Sequence, residues 1–338
     1  MITCVKANLF TSPAKVLTNT VNTVGVMGKG IAKTAKEIYP EMFRQYQRLC
    51  ETKQLKIGTL WIYKTPHKWI LNFPTKQHWR HPSKPEYIEE GLKKFVATYA
   101  SQGITSIAFP RLGCGNGELD WDKVVKPLMT YYLNKLPIDI FVYSFGDSGV
   151  VPEHRNPQAM KEWLRSEPRE LAFGEVWEDL LSKIGTGLIF NAWDDSGEFQ
   201  VMPLHIKDEG FVIRIGNPPM TLWNQLRDVF VRQLPNNWRL RLLGPGNIFV
   251  PREAVLDLWQ AIRSYGLCVP RMMPSGLDTL WMYILPIMEL LPYLERVELS
   301  TPTTKPSPLH QVGLQFLGLL AEERKTNGER PIHVPQAV

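Results

Sequence analysis

The sequence has 338 residues, of which 44% are hydrophobic. This is enough to bury the cores of about two domains, and it argues against disorder. No apolar run reaches the length that spans a bilayer, so we expect no membrane contact. The four cysteines lack paired spacing, so we expect neither a disulfide framework nor a metal site. The sequence opens on a predicted strand, so we expect no signal peptide and a cytoplasmic location.

Charge is distributed unevenly along the chain. Residues 1–150 contain 20 Lys and Arg against 11 Asp and Glu, whereas the remainder contains 19 against 22. A basic half beside a mildly acidic half is informative about binding partners rather than about fold. The first half therefore suits nucleic acid, although many soluble domains carry such a charge and bind nothing anionic.

The first informative stretch is a strand, a glycine loop and a helix in direct succession. Residues 2–6 are predicted as a strand that ends before Asn8 and Leu9, and residues 16–20 as a buried strand. Asn19 and Asn22 follow in register with that second strand. The loop and the start of the next helix then supply Val26, Met27, Gly28, Lys29, Gly30 and Ile31. Free backbone N–H groups at such a helix start attract anions, and glycine lets the backbone approach a phosphate. An ordinary strand-to-helix turn is an equally good reading of this stretch alone.

A basic loop follows the next elements, which are a helix over residues 41–51 and strands over residues 58–64 and 69–73. The loop, residues 75–85, contains His78, Trp79, Arg80 and Lys84. Basic side chains hold backbone phosphates and an indole stacks on an exposed base, so we interpret this loop as a nucleic-acid rim. The alternative is a solvated connection in which Trp79 folds back on the core. A helix is predicted over residues 85–102.

A second glycine loop repeats the order of strand, loop and helix. It lies between a predicted strand, residues 106–109, and an amphipathic stretch, residues 121–136. A further strand is predicted over residues 138–144. The loop supplies Arg111, Gly113, Cys114, Gly115, Asn116, Gly117, Glu118 and Leu119. Two such loops in one domain can grip a diphosphate from both sides. The alternation of strands and helices predicts a mixed sheet covered on both faces.

The second half carries fewer motifs. Residues 146–149 read as a boundary, and the chain beyond is predicted as an α+β domain with a binding role. Helices are predicted over residues 160–165, 171–183 and 252–265, and hairpins over residues 198–215 and 238–250. Residues 301–308 are a proline- and threonine-rich connection. The acidic residues that we predict to form a binding surface are Asp194, Asp195, Glu198, Asp208 and Glu209.

Three stretches together resemble the macrodomain family of ADP-ribose-binding modules. They are NTVNTVGVMGKGIA from residue 19, NFPTKQHWR from residue 72 and PRLGCG from residue 110. The resemblance implies a three-layer α/β/α fold with a mixed central sheet over residues 1–148, followed by a smaller α+β domain over residues 155–338. Within the family the stretches look like the DarG subgroup, antitoxins that remove ADP-ribose from thymine bases of DNA and oppose DarT toxins.

That resemblance implies a substrate, a partner and site residues. The substrate would be ADP-ribosylated single-stranded DNA, no cofactor would be needed, and residues 155–338 would bind a DarT-like toxin. Lys76 and Asn22 would be catalytic, the latter at the distal ribose. The ADP-ribose ligands would be Asn8, Leu9 and Asn19 together with the residues of the two glycine loops named above. Asn8 stands where many macrodomains have an aspartate that contacts adenine.

One departure leaves the mechanism open. A related glycohydrolase that acts on protein has a lysine at the place of Lys76 and an aspartate at the place of Gly117. Glycine at 117 leaves open what completes the reaction, and whether Lys76 acts covalently or electrostatically. Two alternatives remain for the first half: a macrodomain that only binds ADP-ribose, and a glycohydrolase that acts on ADP-ribosylated protein. A third hypothesis is a protein-interaction module that acts through its second half.

Overall fold

A computed structural model of the chain describes residues 2–144, 151–205, 209–216, 241–242, 246–299 and 312–317. The chain divides into two compact units, Met1–Ser166 and Glu167–Val338. The predicted boundary at residues 146–149 lies outside the described residues. The first unit extends past residue 148, the predicted end of the first domain, and includes residues 151–166.

The first unit is built on a six-stranded sheet of order β1-β6-β5-β2-β4-β3. Every neighbouring pair is parallel except β3 and β4, which are antiparallel. The sheet is therefore mixed, which confirms the prediction. The strands are β1 (Ile2–Val5), β2 (Val16–Asn22), β3 (Trp61–Lys64), β4 (Trp69–Lys76), β5 (Ser106–Pro110) and β6 (Asp139–Tyr143).

Helices cover both faces of this sheet, because its strands alternate apolar side chains between the two faces. Val16 packs in one core with residues of α3 and α4, whereas its neighbour Leu17 packs in a second core with residues of α1 and α2. The predicted three-layer α/β/α fold is confirmed. The helices are α1 (Gly30–Ile38), α2 (Pro40–Glu51), α3 (Pro85–Thr98), α4 (Lys126–Leu133, after a π-helical turn at Trp121–Val125) and α5 (Pro157–Ser166).

The second unit contains two antiparallel sheets and three α-helices among its described residues. The larger sheet has the order β10-β11-β9-β8-β7, and the smaller has the order β12-β14-β13. The predicted α+β class and both predicted hairpins are confirmed. The predicted connection at residues 301–308 lies outside the described residues. The strands are β7 (Leu188–Asn191), β8 (Glu198–His205), β9 (Glu209–Ile215), β10 (Arg241–Leu242), β11 (Asn247–Pro251), β12 (Leu267–Cys268), β13 (Leu294–Glu298) and β14 (Val312–Phe316).

The helices of the second unit are α6 (Phe173–Ile184), α7 (Arg252–Tyr265) and α8 (Trp281–Met288). The first two were predicted, and α7 has the predicted bounds. It ends at Gly266, whose φ of 76° is a left-handed conformation that glycine adopts without strain. Over the described ranges, none of the helices combines the length and the apolar character that a membrane crossing requires.

Candidate active site

A cleft of about 620 Å³ opens in the first unit at the carboxyl ends of its central strands. Its lining includes the last residue of each of four strands: Asn22 of β2, Lys76 of β4, Pro110 of β5 and Tyr143 of β6. Parallel strands end at the same edge of a sheet, and ligands of open α/β sheets bind in the crevice at that edge. The fold therefore brings both glycine loops and Lys76 to one cavity.

The Asn22 side chain fixes the path of the first glycine loop. Its Oδ1 accepts hydrogen bonds from the Val24 N–H at 3.1 Å, the Val26 N–H at 3.2 Å and the Tyr46 hydroxyl at 3.0 Å. Its Nδ2 donates to the Val26 carbonyl at 2.6 Å. These bonds hold the chain between β2 and α1, so Asn22 shapes the wall of the cleft. Its predicted contact with the distal ribose stays a prediction.

The start of α1 forms the next part of the wall. Lys29, Gly30 and Ile31 all line the cleft, as predicted from the sequence. The helix begins at Gly30, whose φ of 56° favours glycine, and Lys29 makes no side-chain capping bond. The N–H groups of the first turn therefore keep their donor capacity, and the helix dipole adds partial positive charge. This wall suits a phosphate group.

The second glycine loop forms the opposite wall, where Gly113, Gly115, Asn116 and Gly117 line the cleft with Arg111. A Cβ added at Gly115 would meet no atom within 4 Å, so the backbone there is open to a ligand. A Cβ at Gly117 would lie 2.2 Å from Ser83 Oγ and 2.4 Å from the Gly113 carbonyl oxygen. No side chain, including that of an aspartate, fits at position 117 without a backbone shift.

Lys76 ends β4 and is buried, with its side chain 7% exposed. Its Nζ lies 3.6 Å from a carboxylate oxygen of Glu153, whose side chain is 8% exposed and which also lines the cleft. This contact is longer than a hydrogen bond, and within the described part of the chain the buried Nζ makes no hydrogen bond. Burial lowers the pKa of Lys76 and raises the pKa of Glu153, in each case against the opposing effect of the partner's charge. Burial thus favours the neutral forms of both groups.

Residues 151–166 contact both glycine loops. Lys29 Nζ donates to the Val151 carbonyl at 3.1 Å on one side of the cleft. On the other side Glu118 accepts from His154 Nε2 at 2.7 Å and pairs with Arg155. The segment bearing Glu153 is therefore fixed at two points, one on each loop.

Asn8 and Leu9 line the cleft after β1, where the adenine contact was predicted. The Oδ1 of Asn8 accepts the Phe10 N–H at 3.0 Å and caps the short 3-10 helix Leu9–Thr11. One acceptor of the side chain is therefore engaged locally. Its contact with adenine stays a prediction.

Three predicted ligands of the first stretch, Asn19, Met27 and Gly28, lie outside the cleft lining, and their contact with the ligand stays a prediction. Asn19 is 2% exposed and donates to Asn72 Oδ1 at 2.9 Å, across the paired strands β2 and β4. Met27 is packed in the core beneath α1 and α2. A Cβ at Gly28 would lie 2.1 Å from Met160 Cε, so the absence of a side chain at this position makes room for α5.

Three predicted ligands of the second loop are also absent from the lining. Cys114 and Leu119 pack against the hydrophobic core. Glu118 is engaged by His154 and Arg155 as described above. The three glycines and Asn116 of the same loop do line the cavity.

The basic loop after β4 differs from its predicted arrangement in one residue. Trp79 is fully buried, so its indole is not available to stack on a base. The predicted alternative, in which Trp79 folds back on the core, is correct. The Arg80 guanidinium lies 4.7 Å from the centre of that ring. His78 and Arg80 are half-buried and Lys84 is exposed. DNA binding by these three stays a prediction.

Sequence reasoning missed several residues of the lining. Tyr143 and Ser144 follow the end of β6, so the rule that strand ends meet at one edge could have found them. Thr75 immediately precedes Lys76. Glu153 carried no signal, because it lies 77 positions from its partner and beyond the predicted domain end.

Comparison with known proteins agrees with this geometry. Residues 18–128 match the family model of the Macro domain. This match lies wholly within the first unit. Over 147 residues it is 42% identical to a DNA ADP-ribosyl glycohydrolase of Thermus aquaticus, a match that covers 42% of this chain and 41% of that protein. The chain thus matches about two fifths of the length of this curated relative.

Two further similarities fall on the same part of the chain. A Thermosipho africanus protein described as a fusion of DNA ADP-ribosyl transferase and DNA ADP-ribosyl glycohydrolase is 38% identical over 161 residues, covering 42% of this chain and 41% of that protein. A solved structure of the macrodomain of Thermus aquaticus DarG is 44% identical, covering 43% of this chain and 98% of that one, with a TM-score of 0.41.

Proposed function

We propose that the cleft of the first unit removes ADP-ribose from modified thymine bases of DNA. The observation that carries this proposal is Lys76: a buried amine, without a hydrogen bond in the described part of the chain, at the cleft between two phosphate-suited loops. Binding ADP-ribose alone requires the loops but no buried amine. The relative with 42% identity is described as a DNA ADP-ribosyl glycohydrolase, which supports the same reaction class.

Each part of the cleft has a task in cleavage of the bond between distal ribose and base. The start of α1 and the open backbone at Gly115 bind the diphosphate. Asn22 keeps the first loop in place around the ribose. Lys76, whose pKa is lowered by burial, offers an amine that can attack the anomeric carbon in its unprotonated form. The two loops thus hold the bond between ribose and base in place, with the anomeric carbon beside the Lys76 amine.

The choice of DNA over protein rests on charge. Residues 1–150 carry nine more basic than acidic residues, and Arg80 and Lys84 follow the strand that bears Lys76. Such a surface attracts the phosphates of a single strand on which the modified base is exposed. A protein substrate has no uniform backbone charge for which these residues would be needed.

The test is incubation of the full chain with ADP-ribosylated single-stranded DNA and, separately, with ADP-ribosylated protein. We expect ADP-ribose to be released from DNA, at a rate that falls as salt rises. Release from protein alone would instead support the protein-directed glycohydrolase. Binding of ADP-ribose without release from either substrate would support the binding module.

We further propose that the second unit binds the toxin whose modification the first unit removes. The observation favouring this role is an acidic end of the β7–β8 hairpin, where Asp194, Asp195 and Glu198 are all exposed. A DNA-modifying enzyme has a basic substrate groove, which an acidic surface can fill. Glu209 of β9 pairs with His205, the last residue of β8, whereas Glu198 is the first residue of that eight-residue strand. Glu209 therefore lies away from this acidic cluster. Asp208 lies outside the described residues.

This second role can be tested by capture of a DNA-modifying toxin on the full chain, with single-stranded DNA as competitor. Glu198→Lys should weaken capture, whereas Glu209→Lys, an exposed glutamate at the other end of the sheet, should not. If DNA cannot displace the captured toxin, the acidic surface does not occupy the toxin's DNA-binding groove. If the toxin is not captured even at low salt, the second unit does not bind it.

A further inference from the structure

Glu153 is placed as a reacting group would be. It starts the 3-10 helix Glu153–Arg155, its side chain is 8% exposed, and it lines the same cleft as Lys76 at a separation of 3.6 Å. Buried carboxyl groups are uncommon unless they are paired or functional. The structure therefore shows a second ionisable group beside the amine.

The second glycine loop cannot supply this carboxyl group. Gly117 leaves no room for a side chain, because Ser83 Oγ and the Gly113 carbonyl oxygen occupy the space of a Cβ. The adjacent Glu118 is outside the cleft lining, and its carboxylate is held by His154 and Arg155. Among the lining residues, Glu153 is the acidic group that lies within ion-pair distance of Lys76.

The segment that carries Glu153 is held against the macrodomain at three places. Val151 accepts the bond from Lys29, and His154 and Arg155 engage Glu118. Further along, Met160 of α5 lies where a side chain at residue 28 would be. These contacts tie residues 151–166 to both walls of the cleft, so the position of Glu153 is fixed from both sides.

We propose that Glu153 donates the proton that the departing base takes up when Lys76 attacks the distal ribose. The inference rests on the proposed function. In this step the lone pair of Lys76 Nζ forms a bond to the anomeric carbon. The bond from that carbon to the base nitrogen breaks, and its electron pair takes the proton of the Glu153 carboxyl group. The products are a neutral base, a carboxylate at Glu153 and a protonated secondary amine at Lys76, so the net charge of the pair is unchanged.

The surroundings of the pair agree with this assignment. Burial raises the pKa of Glu153, which favours the protonated acid, and lowers the pKa of Lys76, which favours the free amine. The direction of both pKa shifts is thus the one that the step requires. The charged and titratable groups around the pair are those of Lys29, His154, Glu118 and Tyr46.

The experiment compares single-turnover release by the full chain and its Glu153→Gln, Glu153→Asp and Glu162→Gln variants. Glu162 is an exposed glutamate of the same segment and serves as the matched control. Two substrates are used: ADP-ribosylated single-stranded DNA, and ADP-ribose whose distal ribose carries 4-nitrophenol, a leaving group that departs without a proton. Calorimetry measures the affinity of each variant for ADP-ribose.

Glu153→Gln should slow release from DNA about a hundredfold, as expected for loss of a general acid, with Glu153→Asp intermediate. For Glu153→Gln, the rate of 4-nitrophenolate release and the affinity for ADP-ribose should stay within about threefold of those of the unchanged chain. A threefold change corresponds to less than about 1 kcal/mol. We expect the DNA rate of the unchanged chain to fall at alkaline pH, as Glu153 loses the proton that it donates, and we expect this fall to be absent in Glu153→Gln.

Two results would overturn the assignment. An unchanged DNA rate in Glu153→Gln would show that the base leaves without this proton, and equal losses on both substrates would show a merely structural role. Absence of release from DNA by the unchanged chain is a different result, because it rejects the proposed function itself.

Discussion

The two glycine loops of the first unit have the same order of strand, loop and helix, yet their glycines have different tasks. Gly28 of the first loop lies against Met160 of α5, whereas Gly115 of the second loop faces open space. Gly117, two residues further on, is enclosed by Ser83 and the Gly113 carbonyl. A glycine in a phosphate-type loop can therefore serve a ligand, a neighbouring helix or its own loop. Only the surroundings of its Cβ position distinguish these uses.

The largest effect is expected from Gly117→Ala. The added methyl group would lie 2.2 Å from Ser83 Oγ and 2.4 Å from a backbone oxygen, which cannot move without reshaping the loop. We expect a loss of about 2 kcal/mol of stability, the usual cost of overpacking. Thermal unfolding of the first unit measures it. Gly115→Ala is the matched control and should leave the melting temperature unchanged; equal melting temperatures for the two variants would contradict the comparison.

Gly115→Val should act on binding rather than on folding. Its branched side chain would project into open space at the cleft and block the approach of a phosphate to the backbone. We expect affinity for ADP-ribose to fall about tenfold or more, which is about 1.4 kcal/mol of binding free energy. Calorimetry gives the affinity, and circular dichroism confirms the fold. Normal binding would mean that the loop does not hold the ligand.

Gly28→Val should show the opposite pattern. The new side chain would displace Met160 and Trp163, which are flexible enough to yield part of the space. We expect the melting temperature to fall by a few degrees, the usual consequence of about 1 kcal/mol, with ADP-ribose affinity within about twofold. An affinity loss as large as that of Gly115→Val, without a change in melting temperature, would show that Gly28 contacts the ligand.

The smallest expected effect concerns the ion pairs of Glu118. The hydrogen bond from His154, together with Arg155, lowers the pKa of Glu118. A lowered pKa in the folded state contributes stability above the group's usual value of 4.5, and this contribution is lost as the pH falls through the folded value. Thermal unfolding across the acid range should therefore be less pH-dependent in Glu118→Gln than in the unchanged chain. Glu86→Gln, an exposed glutamate of α3, is the control; the same pH dependence in Glu118→Gln and the unchanged chain would contradict the pairing.

Local patterns were sufficient to predict most of the fold. The helix α7 was predicted with its observed bounds because its apolar positions repeat with helical spacing and Gly266 follows directly. The six strands of the first unit follow from short apolar runs between turns. In contrast, β14 was missed because it is defined by pairing with β12 and β13, which lie far from it in the sequence.

The site was predictable in part, for the same reason. Lys76, Asn22 and the open glycines lie on motifs, so sequence pattern and resemblance pointed to them. Glu153 lies on no motif and reaches Lys76 only through the packing of residues 151–166. Trp79 shows the opposite error: a tryptophan among basic residues was interpreted as a surface for bases, yet the side chain is fully buried. Composition alone does not tell which way a side chain points.

The most direct test of the account is the behaviour of Lys76→Ala in the full chain, beside Lys94→Ala, an exposed lysine of α3. Single-turnover release of ADP-ribose from ADP-ribosylated single-stranded DNA is measured together with calorimetric binding of free ADP-ribose. We predict that Lys76→Ala abolishes release while binding ADP-ribose within about threefold, because Lys76 lies outside both phosphate-suited loops. Lys94→Ala should match the unchanged chain. Undiminished release by Lys76→Ala would contradict the account, and loss of binding in parallel with release would make Lys76 a ligand contact rather than the reacting amine.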